Sequence, residues 1–225
     1  MTVSMSKRSM APGSIMPFGM YPQTASGTDR TPIEWLVLDV QDRKALLLSR
    51  YGLDAKPYNT ANVNATWATC TLRTWLNDVF LHYAFTSQEQ MRIAACEVSN
   101  AADQGYGKWK TSGGYDTVDK IFLLSYREAN GYLGVTLSTG TGSDTPKAIV
   151  HPTGYAIVQG AIEDEKDFTT PLGEAAGSWW LRSPGNNQRL AANVFVDGNL
   201  DLQPVSLSTL CVRPALWMDL SAEVF

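Results

Sequence analysis

The sequence predicts one α+β domain, irregular and loop-rich, with small antiparallel sheets and two main helices. Three observations lead there. Short apolar runs of strand length are bounded by turn residues, one segment carries a clear helical stripe, and long stretches rich in Gly, Thr, Pro and Asp carry no periodicity. Of the 225 residues, 44% are hydrophobic and 18% charged, an ordinary balance for a folded chain. Seven Trp, nine Tyr and seven Phe supply large apolar surfaces for one core.

Residues 1–14, polar and rich in Met and Ser, read as a flexible N-terminus, and residues 15–225 as the domain. Ile33–Val40 and Lys44–Ser49 read as paired strands joined by the polar link Gln41-Asp42-Arg43. The run Leu46-Leu47-Leu48 points to a strand covered on both faces. In Thr71–Phe80, Leu72, Trp75, Leu76 and Val79 fall on one helical stripe. Ser87-x-x-Gln90 reads as a capping box opening a second helix through Met91, Ile93 and Ala94.

Asn100–Thr117 reads as a long loop, Ile121–Leu124 as a short buried strand with helical turns from Ser125, and residues 132–177 as a loop-rich face. The acidic cluster Glu163-Asp164-Glu165 reads there as a solvated turn, and Gly140-Thr141-Gly142 as a flexible one. Trp179-Trp180-Leu181 restarts regular structure. Asn193–Val196 and Leu200–Leu202 form a hairpin around Asp197-Gly198, and Val212–Trp217 closes the fold as a strand.

A net charge of −4 disfavours a phosphate backbone, so no nucleic-acid partner is expected. No apolar run approaches the roughly 18 residues that span a bilayer, and no membrane insertion is expected. The first 19 residues hold a short basic stretch without an apolar segment after it and without a lipid-attachment cysteine, so no secretory signal is expected. Cys70, Cys96 and Cys211 lack the spacing of a disulfide scaffold or a zinc site and read as buried thiols. Neither His82 nor His151 has a ligand-spaced companion, and no GxSxG, HExxH or P-loop is present. The chain therefore reads as no enzyme, with no catalytic residue, no metal site and no cofactor.

Several dense segments resemble one bacterial and phage domain family. They include Ile33–Asp39, Leu46–Tyr51, Leu53–Asn59, TWATCTLRTWLN (residues 66–77), Asp119–Ser125, Pro152–Ala156, WWLRSPG (residues 179–185) and VRPALW (residues 212–217). Across residues 15–217 the chain resembles the C-type-lectin-like domain of variable proteins from diversity-generating retroelements, whose fold is similar to that of the formylglycine-generating enzyme. The resemblance implies that the segment between the last two motifs, within residues 179–217, forms a ligand face. It further implies that error-prone reverse transcription at template adenines diversifies that segment on a constant scaffold. The family motif has Gly just before VRPAL, where this chain has Cys211.

Arg182 and Arg213 flank the segment within apolar runs, so burial demands partners for them. Trp179, Trp180 and Trp217 read as core anchors. If Val194 and Val196 face the core, alternation turns Asn193 and Phe195 outward, and an outward Phe is a ready binding anchor. The candidate variable, ligand-binding residues are Asn187, Gln188, Arg189, Leu190, Phe195, Asp201, Leu202, Gln203, Ser206, Leu207 and Thr209.

The resemblance implies a receptor-recognition protein, set in a phage tip or a bacterial surface-recognition protein, with a macromolecular ligand. Calcium-dependent sugar binding is not expected, because Val205 follows Gln203-Pro204 where such a lectin site needs a carboxylate. A fixed structural or adaptor domain is the alternative. A formylglycine-generating-type oxidase is remote, since it needs two closely spaced C-terminal cysteines and only Cys211 lies in that region.

Overall fold

The protein is described by a computed structural model covering residues 10–102, 110–137, 146–169 and 173–221. Residues 1–9 of the N-terminal segment, 103–109 of the long loop and the Gly140-Thr141-Gly142 turn lie outside those described.

The first half builds strands β1 (Ile15–Tyr21), β2 (Thr31–Gln41), β3 (Lys44–Ser49) and β4 (Asp54–Ala55). A continuous helical stretch follows, formed by α1 (Thr71–Trp75), a π-helical turn (Leu76–Phe80) and α2 (Leu81–Ala84). Next come α3 (Ser87–Met91), β5 (Ile93–Ala94), β6 (Cys96–Val98), β7 (Thr117–Asp119) and β8 (Ile121–Phe122). The second half holds α4 (Tyr126–Leu133), a 3-10 turn (Pro146–Ala148), α5 (Gly154–Val158), β9 (Glu163–Thr169) and β10 (Ala175–Gly177). It ends with β11 (Trp179–Pro184), β12 (Leu190–Val194), β13 (Leu200–Pro204), β14 (Cys211–Val212) and β15 (Ala215–Asp219). The architecture is α+β, with strands predominating over short helices.

Two curled sheets carry the structure. The larger runs β1-β2-β3-β15-β5, with β8 also pairing β15; the smaller runs β13-β12-β11-β14-β4. Pairing is antiparallel except between β11 and β14. The β2–β3 turn needs only Asp42 and Arg43, both at positive φ (47° and 61°), so Gln41 pairs directly with Lys44.

The expected closing strand is instead broken. Val212 ends β14 in the smaller sheet and Ala215 opens β15 in the larger, because Pro214 between them cannot donate to a ladder. Its carbonyl still accepts from the Ser49 N–H. VRPALW is thus the hinge by which one chain segment serves both sheets.

Within the first long helix, the stripe departs from simple periodicity. The π turn adds a residue per turn, so Leu72, Leu76 and Phe80 are buried while Val79 is exposed. The second helix starts one residue earlier than expected. Thr86 and Glu89 form the capping box, and the helix stops at Met91, leaving Ile93 and Ala94 to pair as β5. The described parts of residues 132–177 are more regular than expected. α5 is capped by the Thr153 hydroxyl, and β9 pairs with β10. Neither strand shows an apolar alternation, since β9 is mostly charged and β10 is Ala-Ala-Gly. Residues 10–14 form a turn tied to β2, where the Gly13 N–H donates to the Val37 carbonyl at 2.8 Å.

Among the described residues a contiguous apolar cluster extends from Phe18 to Met218. Trp35, Trp67, Trp179 and Trp180 are fully buried, and each indole N–H finds an acceptor: Phe18 O, Asp119 Oδ2, Ala148 O and Lys56 O respectively. Large aromatic area is thereby buried without leaving a donor unpaired.

Candidate functional site

β11 and β14 hold the smaller sheet in place, and β12 and β13 extend from it as a hairpin. The ladder pairs Val194 with Leu200, Asn193 with Asp201 and Ala191 with Gln203. The connection is therefore five residues, Phe195–Asn199, closed by hydrogen bonds from Phe195 N–H to Asn199 O and from Gly198 N–H to Phe195 O. Gly198 takes positive φ (84°), as the Asp-Gly pair predicts. Val196 is thus in the loop and not in the strand. It is buried nonetheless, as is Val194, and Phe195 between them is 41% exposed.

Two arginines brace this unit. Arg182 on β11 is buried and forms a two-pronged ion pair with Glu128 of α4, with Nη2 to Oε1 at 3.0 Å and Nη1 to Oε2. It also donates to the carbonyls of Leu123 and Ser99. Glu128 closes the Ser125 capping box of α4, so one carboxylate fixes both the helix start and the strand. Arg213 is buried without a carboxylate at ion-pair distance among the described residues. It donates to Ser49 O at 2.9 Å and stands 4.8 Å over the Trp179 ring. Burial pulls its pKa downward, while those contacts keep the guanidinium partnered.

Cys211 packs where two glycines leave room. A Cβ at Gly52 would stand 2.7 Å from the Cys211 side chain, and one at Gly177 would stand 3.1 Å from its Sγ. A side chain at position 211 is therefore accommodated by the absence of side chains opposite. Cys70 serves as the N-cap of α1, its Sγ accepting from the Arg73 N–H at 3.4 Å. Cys70 and Cys211 are buried and Cys96 is half-buried. Desolvation pushes the thiols of Cys70 and Cys211 up to about 12 and that of Cys96 up to about 11. Thiols held neutral this way contribute stability below their ordinary pKa of 9.0, and that contribution is lost as pH rises toward the folded values. In native protein near pH 8, Cys70 and Cys211 are expected to resist a thiol reagent over the time in which urea-unfolded protein reacts completely. Fast labelling of Cys211 in the native state would contradict its burial.

Beside the hairpin lies a depression of about 480 Å³. It is lined by Ile162, Glu163, Asp164 and Ser178 on one side and by Asn193, Phe195, Val196, Gln203, Leu207, Thr209 and Leu210 on the other. Four of the sequence-predicted residues, Phe195, Gln203, Leu207 and Thr209, meet there. A second depression shares Phe195 and Gln203 with it and adds Asp197, Asn199, Leu200 and Asp201. Asp201 accepts from the Gln203 amide at 2.8 Å.

The remaining predicted residues are not brought to that place. Asn187, Gln188, Arg189 and Leu190 sit at the opposite end of the hairpin. Gln188 there lines a separate polar hollow with Asn64, Thr66, Ser112 and Tyr115 and donates to Ser112 O. Leu202 packs against the apolar core, and Ser206 is half-buried outside the depression.

Sequence reasoning missed several lining residues. Asn193 is expected to turn outward to solvent but is fully buried, and Glu163 and Asp164 are half-buried at the start of β9 instead of forming a solvated turn. The spacing of Asn193 relative to Phe195 was the available signal; what defeats it is that Ala191–Val194 are all buried, so the strand has no solvent-facing alternation. The carboxylates of the depression have no histidine or cysteine beside them in its lining, and among the described residues no three of His, Cys, Asp and Glu converge as a metal site. His82 is exposed with Nδ1 at the Asp78 carbonyl, and His151 faces the Ala175 carbonyl. Among the described residues no helix is long and apolar enough to cross a membrane.

No curated protein and no solved structure matches the chain. Residues 42–220 match a family described as a domain of unknown function (DUF6273), a span that takes in both sheets from β3 onward and the whole hairpin. The chain belongs to that family.

Proposed function

We propose that this protein is a ligand-binding, receptor-recognition module. In this reading a C-type-lectin-like scaffold presents the β12–β13 hairpin and the 205–210 segment to a macromolecular ligand, as the hypervariable target of a diversity-generating retroelement. The observation that carries it is the split within three consecutive residues: Val194 and Val196 are buried while Phe195 is 41% exposed at the rim of a depression. An aromatic ring held outward by two buried neighbours is an anchor whose conformation is set before any ligand arrives. The eleven predicted positions are all exposed or half-buried, and at those clear of the apolar core side chains can change at small cost to folding.

One observation favours a second reading, a fixed adaptor domain. Leu202 and Leu207 touch the core and Asp201 is bonded to Gln203, and positions with such structural roles vary less freely.

A displayed library randomised at Phe195, Gln203, Leu207 and Thr209 separates the two. The diversified reading expects most variants to remain folded by protease resistance, whereas randomising Trp180 and Val194 leaves few. Broad loss of folding at the first four positions favours the adaptor. Phe195→Ala alone is expected to change unfolding free energy by less than about 1 kcal/mol. A loss of several kcal/mol in urea unfolding would mean that the ring belongs to the core.

A further inference from the structure

Asn193 is buried completely, yet neither Nδ2 nor Oδ1 has a hydrogen-bond partner among the described residues. Its main chain lies in the ladder between Trp180 of β11 and Asp201 of β13, and the residue is among those lining the depression that also holds Phe195. Buried amides are nearly always satisfied, because an unpaired donor and acceptor bear the full loss of their hydration. A side-chain amide in this state presents an N–H and a C=O side by side, and its complement is the N–H and C=O of one residue in an extended strand, which point the same way, whereas those of a single trans peptide unit point apart. Phe195, Gln203, Leu207 and Thr209, which line the same depression, are not buried.

Among the described residues, the charged lining of the depressions beside it has one sign. The two depressions that share Phe195 and Gln203 are lined by Glu163, Asp164, Asp197 and Asp201, with no lysine or arginine in either lining. Such a field favours a cation and repels phosphates. The apolar wall formed by Ile162, Val196 and Leu207 suits the aliphatic stem of a long basic side chain.

We infer that this groove takes an extended basic peptide segment, with the main-chain N–H and C=O of one peptide residue on the Asn193 amide and a lysine or arginine among the carboxylates. The inference rests on the hairpin being the ligand face and specifies what that face recognises. Binding is accordingly screened by salt.

The test titrates ¹⁵N-labelled protein with three blocked hexapeptides, Gly-Ser-Lys-Leu-Arg-Gly and the same frame carrying Glu or Ser in place of both basic residues. The basic peptide is expected to bind most tightly, to shift the Asn193 side-chain amide and Phe195 resonances, and to weaken as salt is raised. Asn193→Leu, close in volume, is expected to cut affinity at least about tenfold while leaving the melting temperature unchanged or higher, because it removes an unpaired buried amide. Glu163→Gln is expected to weaken the basic peptide and not the neutral one.

Equal affinity for all three peptides at the hairpin overturns the basic preference and leaves the ligand-face reading standing. Absence of binding by every peptide at millimolar concentration, or shifts confined to other surfaces, overturns the inference, while the randomised library judges the ligand face separately. A lower melting temperature for Asn193→Leu also overturns it, since the amide would then already be serving the fold.

Discussion

Replacing Trp180 by alanine is expected to cost about 3–5 kcal/mol of folding free energy, enough to unfold a domain whose total is on the order of 5–15 kcal/mol. The indole is fully buried, stands 5.9 Å from the Tyr58 ring, and donates to the Lys56 carbonyl at 2.9 Å. Its removal empties a large volume between β11 and the segment after β4 and strands that carbonyl. Urea denaturation followed by tryptophan fluorescence and circular dichroism should show a much lower midpoint, or no folded baseline. Trp180→Phe, which keeps most of the volume and loses the hydrogen bond, should fall between the two. A small shift for Trp180→Ala would mean that the β11 face is loosely packed and cannot hold the hairpin rigid.

Glu128→Ala is expected to destabilise nearly as strongly, by about 3 kcal/mol, through a charge left unmatched. Arg182 is buried, so without Glu128 its guanidinium keeps only carbonyl acceptors from Leu123 and Ser99. The Glu128 side chain is 33% exposed, which sets the expectation at the lower end of the range for broken buried pairs. The same change removes the side-chain half of the α4 capping box. Combining Glu128→Gln with Arg182→Met should recover part of the loss, because the uncompensated charge goes with its partner. Additive losses in that double variant would instead assign the effect to packing of the Arg182 stem.

Much of the frame was legible because its signals are local. The β2–β3 hairpin, the helical start after Cys70 and the Asp-Gly turn each depend on a few adjacent residues whose preferences agree. The demand that buried Arg182 and Arg213 find partners also follows from chemistry alone, although the identity of those partners does not: Glu128 lies 54 residues away in sequence from Arg182. Where prediction and structure part, a non-local contact decides. The π turn that exchanges Val79 for Phe80 in the core, and the transfer of the chain between sheets at Pro214, both answer to neighbouring elements.

The site followed the same rule. Phe195, Gln203, Leu207 and Thr209 belong to one stretch and could be selected by exposure and alternation. Asn193 does not follow that alternation: Ala191, Ala192, Asn193 and Val194 are all buried, and nothing in their sequence signals that both faces of the strand are covered. The orphaned amide is thus a property of the assembled fold and is visible only there.

Sequencing the DNA that encodes residues 179–217, together with the few kilobases around it, tests most directly whether the hairpin is a diversified ligand face. The predicted result is a near-identical copy beside a reverse transcriptase gene, differing from the coding segment only where the copy carries adenine. The differing codons should include those for Phe195, Gln203, Leu207 and Thr209 and exclude those for Trp180 and Val194. A locus without such a copy, or a copy whose differences fall on the buried scaffold, would contradict diversification and leave the hairpin as the face of a fixed adaptor.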